Sequence, residues 1–299
     1  MKKIFHIITF LCLFSSNKTV AQTDLLRQKI QSILSTKNAT VGVSIDGLET
    51  KDTLSLNNDK HFPMQSVFKF HIALAVLNEV DKGKFSLAQK IYIRKTDLVV
   101  KDMWSPIRDK YPNGNVYLSL AEILKYTISQ SDNSGCDLLL RLIGGPKTVN
   151  DYIHKTGVKD VQIKATEEEA YKAWNVQFSN WTTPVAATQL LKTFYERKIL
   201  SKKSYDFLWK MLLETSTGPD RIKGQLPPGT LVAHKTGSSG TNEQGITAAT
   251  NDIGIITLPN GKHFIISVFV TNSKENSDTN EKIIADISKA AWDYFNKAD

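Results

Sequence analysis

Ser66 and Lys69 stand three residues apart at the head of an apolar series, Phe70, Ala73, Leu74, Leu77 and Val80, whose spacing is helical. The pattern predicts a buried helix over residues 66–83 with the hydroxyl and the amine on one face. In the first turn of a helix the backbone N–H groups lack intrahelical partners and the dipole favours negative charge. A hydroxyl there, with an amine one turn on, has the parts of an activated nucleophile. Alone, Ser-x-x-Lys reads better as an N-cap serine followed by a surface lysine. Two further motifs change the balance. Ser131-Asp132-Asn133 lies between a helical segment and the apolar run 138–143, which places it in a bend between helices. Lys235-Thr236-Gly237 ends a segment with strand character. Separately these are ordinary turn and strand-end residues; jointly, in this order and spacing, the three motifs are a strong signal of nucleophilic catalysis.

The elements around them follow from periodicity. Leu25, Leu26, Ile30, Ile33 and Leu34 mark an amphipathic helix over 24–35. Residues 40–45 and 53–56 alternate like two paired strands. The middle of the chain, 62–213, reads mostly helical. Ser119 and Glu122 form a capping box for a helix over 120–130, Pro146 suits a helix first turn and Gly157 a helix end. Past Pro227-Pro228-Gly229 the pattern turns to strands, 231–235, 253–258 and 263–270, the last two joined at Pro259-Asn260-Gly261. Ile283, Ile284, Ile287, Ala291, Trp292 and Phe295 close the chain as a helix. Strands at both ends around a helical middle predict one α/β domain built from 22–61 and 214–299, with a helical domain, 62–213, inserted.

The chain has 299 residues, 41% of them hydrophobic, enough for one or two packed cores. Lys2 and Lys3 precede an apolar run over 4–14, shorter than the roughly 20 residues of a membrane-spanning helix, and Thr19-Val20-Ala21 offers small residues for cleavage. Residues 1–21 therefore read as a secretory signal cut near Ala21, with a secreted, periplasmic product. Cys12 follows Leu11 rather than Gly or Ala, which disfavours a lipid anchor. Cleavage removes three lysines from a formal charge of +8. The remaining lysines are spread along the chain without a basic block, which argues against nucleic acid as a partner. Only Cys136 remains after cleavage, so no intrachain disulfide is expected and the thiol reads as a small buried apolar group. The histidines lack metal-ligand spacing, and in Gly144-Gly145-Pro146-Lys147-Thr148 proline stands where a phosphate loop has glycine. No metal or cofactor is implied.

The trio of motifs resembles the signature of class A serine β-lactamases and penicillin-binding proteins. The sequence resembles the class A enzymes across nearly the whole mature chain, and in particular the VEB/PER-type extended-spectrum branch, through His61-Phe62-Pro63-Met64-Gln65-Ser66 and the stretch around Asn180-Trp181. That resemblance implies an α+β serine β-lactamase / DD-peptidase-like fold, an antiparallel sheet flanked by helices, acting as a monomer on small β-lactams. It implies roles residue by residue. Ser66 would attack the lactam carbonyl, Lys69 would accept or relay its proton, and Ser131 would pass a proton to the departing ring nitrogen. Lys235 would lie near Lys69 and, as a like charge, keep it neutral enough to act as a base. Asn133 would bind the acylamide side chain and hold Lys69. Lys235, Thr236 and Ser238 would bind the substrate carboxylate, and the N–H groups of Ser66 and Ser238 would form the oxyanion hole. Arg221 would be a second carboxylate anchor, against the alternative of a surface arginine. Trp104 would wall the cleft entrance, against that of a half-buried core tryptophan.

A lactamase, unlike a penicillin-binding protein, needs a carboxylate to activate water. Register back from Asn180-Trp181-Thr182-Thr183-Pro184 puts Glu167 in that role, with Glu168 as the fallback. The family's arginine before the glutamate and its aspartate at the loop's end are Ala165 and Asn180, so their salt bridge cannot form. Tyr171 stands where an asparagine usually adjoins the water. These departures imply a reshaped loop and a cleft open to oxyimino-cephalosporins. A penicillin-binding transpeptidase or carboxypeptidase and a non-catalytic β-lactam sensor remain as rival readings.

Overall fold

A computed structural model describes residues 23–98 and 102–297; the expected secretory signal, 1–21, lies outside the described residues. Helix α1 (residues 23–34) leads into β1 (Thr40–Gly47) and β2 (Thr53–Leu56). A two-residue β3 (Phe62–Pro63) and a 3₁₀ turn, Gln65–Val67, precede α2 (Phe68–Asp81). Then come β4 (Lys90–Ile93), α3 (Pro106–Lys110), β5 (Val116–Ser119), α4 (Leu120–Ser129), α5 (Asn133–Ile143) and α6 (Pro146–Lys155). Short elements β6 (Val161–Gln162), α7 (Glu167–Lys172), a 3₁₀ turn Trp174–Ser179 and β7 (Trp181–Thr182) lead to α8 (Pro184–Tyr195) and α9 (Lys202–Leu213). The chain closes with β8 (Val232–Ser238), β9 (Thr250–Thr257), β10 (His263–Thr271) and α10 (Ser277–Phe295).

The main sheet is antiparallel, in the order β2-β1-β10-β9-β8. Both ends of the chain meet in it: Thr40 of β1 pairs with Thr271 of β10 and Gly47 with Phe264. Pairing strands so distant in sequence leaves each face to be covered. One face packs with α1 and α10 through Leu26, Ile30, Phe264, Ile266, Ile284 and Phe295. The other contributes Ile253, Ile265 and Phe269 to a larger core shared with α2, α4, α5, α8 and α9. This is the α+β architecture that the sequence implied.

Local signals explain the helix starts. Ser119 Oγ accepts from Glu122 N while the Glu122 carboxylate accepts from Ser119 N, closing the expected box. Pro146 occupies the first turn of α6, and Gly157 has φ of 98° just past its end. Three expectations need correction. The helix after Ser66 becomes α only at Phe68, so Ser66 sits in the preceding 3₁₀ turn. Lys235-Thr236-Gly237 lies inside β8, which runs on to Ser238 because Ser238 still pairs with Thr250. Leu25 faces solvent, and the buried stripe of α1 runs through Leu26 and Ile30.

Helix α2 is buried on every side from Phe68 to Leu77, including Lys69 and His71. Burial pushes the His71 ring down to about 4. The folded chain thus keeps this ring neutral, while the unfolded chain protonates it near 6.5. Stability from this group is full above 6.5 and is lost as the pH falls towards 4. Thermal unfolding across that window is expected to register a loss approaching about 3 kcal/mol, and His71→Leu, which removes the titrating ring, is expected to flatten that part of the profile.

Candidate active site

The nucleophile turn is held from two sides. Asn251 of β9 donates through Nδ2 to the carbonyls of Pro63 and Met64, and Val67 N donates to Met64 O. Gln65, just before the serine, has φ of 46°, a left-handed conformation that a non-glycine residue adopts only when its surroundings impose it. Strand β8 presses against this turn at Gly237. A Cβ there would lie 2.4 Å from Met64 O and 3.1 Å from Val67 N, so only glycine allows the approach. The approach puts Ser66 and Ser238 on opposed segments lining one cleft of about 330 Å³.

Lys69, wholly buried, is the hub. Its Nζ lies 2.9 Å from Ser66 Oγ, 2.8 Å from Ser131 O and 3.0 Å from Glu167 Oε1, and it also donates to Asn133 Oδ1. Glu167 Oε1 is in turn 3.5 Å from Ser66 Oγ. With Ser131 Oγ at 3.5 Å, five acceptors surround a group with at most three hydrogens, so its proton placement is shared among the same atoms that would handle substrate protons.

Ser131 bridges the two lysines. Lys235 Nζ donates to Ser131 Oγ at 3.0 Å and to Thr236 O at 2.8 Å. Burial first, and then the charge of Lys69, pushes Lys235 well below the ordinary lysine value. Ser131 itself has φ of 59°. Its turn is fixed by Asp132, whose carboxylate accepts from Gly135 N and Ile107 N, each at 2.6 Å, and from Ser105 Oγ. Cys136, one turn along α5, is a buried free thiol.

The three adjacent glutamates differ in what they meet. Of the three adjacent glutamates only Glu167 points at Lys69. Glu168 pairs with Lys172 at the surface, 2.9 Å away, and Glu169 closes a capping box with Thr166. Asp137 was not singled out in the sequence, yet it fixes Glu167. Its two carboxylate oxygens accept from Glu167 N and Glu168 N at 2.9 Å, satisfying the first-turn donors of α7. Burial, followed by the charge of Glu167, pushes Asp137 up to about 6. A lone buried acid among the apolar residues of α5 was the available signal, because a buried carboxylate must find donors.

Asn180 holds the other end of the loop. Its Oδ1 accepts from Lys164 N and Ala165 N at 2.8 and 2.9 Å, and its Nδ2 donates to Ala165 O at 2.9 Å. The missing salt bridge is thus replaced by a neutral side-chain clamp on backbone. Tyr171 and Trp174 line the cleft beside it. Gln65 and Gln177 join across the cleft floor at 2.7 Å.

The remaining expected residues divide. Thr236 Oγ1 lies 2.5 Å from Thr217 Oγ1, a neighbour that the sequence reading missed. Trp104 is exposed rather than half-buried in a core; its Nε1 donates to Gln130 O beside the Ser131 turn, and it is the preceding Met103 that lines the cleft. Arg221 is not a surface arginine. It is buried against β8 and β9, donating to Gly237 O and Asn251 O, and ion-paired with Glu281 at 3.0 Å. His234 turns to Asp252, its Nδ1 3.0 Å from both carboxylate oxygens. Among the described residues no group of histidine, cysteine and acidic side chains could hold a metal ion.

Helices packed on a five-stranded antiparallel sheet, with a serine and two buried lysines converging between them, constitute the serine β-lactamase fold. The match extends to sequence. A model of the β-lactamase enzyme family fits residues 25–295. β-Lactamase VEB-1 of Pseudomonas aeruginosa is 56% identical over 277 residues, 92% of each chain. Extended-spectrum β-lactamase PER-1 of the same organism is 44% identical over 281 residues, 94% of this chain and 91% of that protein. The crystal structure of TLA-3 extended-spectrum β-lactamase superposes with a TM-score of 0.91 at 59% identity, covering 92% of this chain and 100% of that one. The chain belongs to the β-lactamase enzyme family and is a class A β-lactamase, a hydrolase similar to VEB-1 and PER-1.

Removing the loop clamp isolates its contribution. Asn180→Ala leaves two backbone N–H groups and one carbonyl without their partner, and denaturant unfolding is expected to show a loss of about 2–3 kcal/mol. Asn180→Asp keeps both accepted bonds but sets a buried carboxylate oxygen against Ala165 O, so its loss is expected to be comparable at neutral pH and to shrink in acid, where the carboxyl regains a proton to donate.

Proposed function

We propose that Ser66 opens the β-lactam ring as the nucleophile of an acyl-enzyme and that Glu167 then directs water onto the ester. The observation that carries this reading is the position of Glu167 Oε1, 3.0 Å from Lys69 Nζ and 3.5 Å from Ser66 Oγ. A carboxylate so placed can exchange a proton with either group in acylation and can orient a water on the ester afterwards.

In acylation the proton of Ser66 leaves towards Lys69 or Glu167 as Oγ bonds to the lactam carbon. The N–H groups of Ser66 and Ser238 stabilise the oxyanion, a donor pair of which each member is typically worth about 10²–10³ in rate. Collapse breaks the carbon–nitrogen bond, and Ser131, bonded to Lys235, delivers a proton to the ring nitrogen. Asn133 engages the acylamide while holding Lys69. Lys235, Thr236 and Ser238 receive the substrate carboxylate. Water activated by Glu167 then attacks the ester and restores Ser66. The product is an inert ring-opened acid, which supports a role in antibiotic resistance for a secreted enzyme.

The substrate range follows from the loop. Tyr171 and Trp174 give the cleft an aromatic side, while the neutral clamp at Asn180 holds the loop without the family's charge pair. Oxyimino-cephalosporins, which carry a bulky acylamide, are the substrates this wall suits, in keeping with the extended-spectrum relatives.

Two experiments test the reading. Glu167→Ala is expected to acylate and stop, so that intact-protein mass spectrometry finds the mass of one opened drug retained; multiple turnover at the wild-type rate would transfer the role to another carboxylate. For the substrate range, steady-state hydrolysis of an oxyimino-cephalosporin is expected alongside that of a small penicillin, and no measurable turnover of the former would refute the broad cleft.

A further inference from the structure

Arg221 is held by four partners. A guanidinium has five N–H donors, and it makes four hydrogen bonds here. Nε and Nη2 each reach Glu281 Oε1 at 3.0 Å. Nη1 donates to Gly237 O at 3.2 Å and to Asn251 O at 3.0 Å. One Nη2 hydrogen goes to Ser238 Oγ at 2.7 Å. Arg221 is 7% exposed, and Glu281 comes from α10, none of whose residues lines the cleft. Ser238 is exposed and lines the cleft.

This arrangement orients a hydroxyl. Arginine donates and cannot accept, so the hydrogen of the Ser238 hydroxyl must point away from Arg221. The side open to it is the cleft, where the substrate carboxylate binds in the function proposed above, on which this step rests. The charge-assisted bond into Oγ also polarises the hydroxyl and strengthens it as a donor. The fork holds this pose because one end is anchored on two backbone carbonyls and the other on the Glu281 carboxylate.

We propose that Glu281 is a positioning residue for substrate recognition, locking Arg221 so that the arginine acts on the substrate carboxylate through Ser238 rather than by contact. Without Glu281 the guanidinium loses its Nε hydrogen bond and its ion pair, and the Ser238 hydroxyl loses its imposed direction. The interaction is made with bound substrate and transition state alike, so its loss appears in KM and leaves kcat nearly unchanged.

The test is steady-state kinetics of Glu281→Ala with a β-lactam bearing the ring carboxylate, on protein whose thermal unfolding shows a folded state. KM is expected to rise about three- to tenfold, the equivalent of roughly one hydrogen bond, with kcat within about twofold. In a Ser238→Ala background the same substitution is expected to leave KM unchanged, because the path from Arg221 to substrate is already cut. Should Glu281→Ala not fold, Glu281→Gln gives the same comparison with a smaller rise, since its amide oxygen remains an acceptor. An unchanged KM in folded Glu281→Ala overturns the proposal. So does an equal rise in both backgrounds, which would mean that Arg221 touches the substrate itself. Absence of β-lactam turnover in the unmodified enzyme would instead remove the parent reading.

Discussion

A primary ammonium group taken wholly out of water needs counter-charge and acceptors at once. Lys69 finds both within a single turn of geometry: the Glu167 carboxylate, the Ser131 carbonyl, the Asn133 amide and the Ser66 hydroxyl. Because each of these atoms comes from a different segment, burying Lys69 obliges α2, the Ser131 turn, α5 and α7 to converge. The site is therefore a consequence of satisfying one buried cation. A misplacement of any one segment would leave the ammonium short of a partner, at a cost of several kcal/mol on the scale of broken buried ion pairs.

The second constraint is the approach of β8 to the nucleophile turn. It depends on Gly237, whose missing side chain lets backbone meet backbone beside Met64 and Val67. The same approach carries Lys235 to Ser131 and sets Ser238 across the cleft from Ser66. Beside the strand, Arg221 pairs with Glu281 and His234 with Asp252. β8 thus brings the Lys235 ammonium and the Ser238 hydroxyl to the cleft region together.

Loop 165–180 shows how one structural task admits two solutions. An ion pair across the loop's ends is unavailable with Ala165 and Asn180 in place. Asn180 serves instead by matching its amide to three backbone groups, and Asp137 captures the donors at the start of α7. Neither solution requires a second charged side chain at the loop's ends, and both bind backbone, whose position does not depend on what the neighbouring residues are.

The sequence by itself determined the local elements and the class of chemistry. The capping box at Ser119, the proline at 146, the alternation in β1 and the apolar run of α2 act over a few residues, so their spacing is readable in one dimension. The three short motifs were readable for the same reason, each being a rigid local unit. What only the tertiary structure decided were the relations between units. Glu167 rather than Glu168 reaches Lys69 because Asp137, thirty residues earlier, fixes the first turn of α7. Arg221 turns inward because Glu281, sixty residues later, meets it there. Such partners are chosen by burial, which forces every polar group to find a mate wherever the fold happens to supply one, and linear order carries no record of that choice.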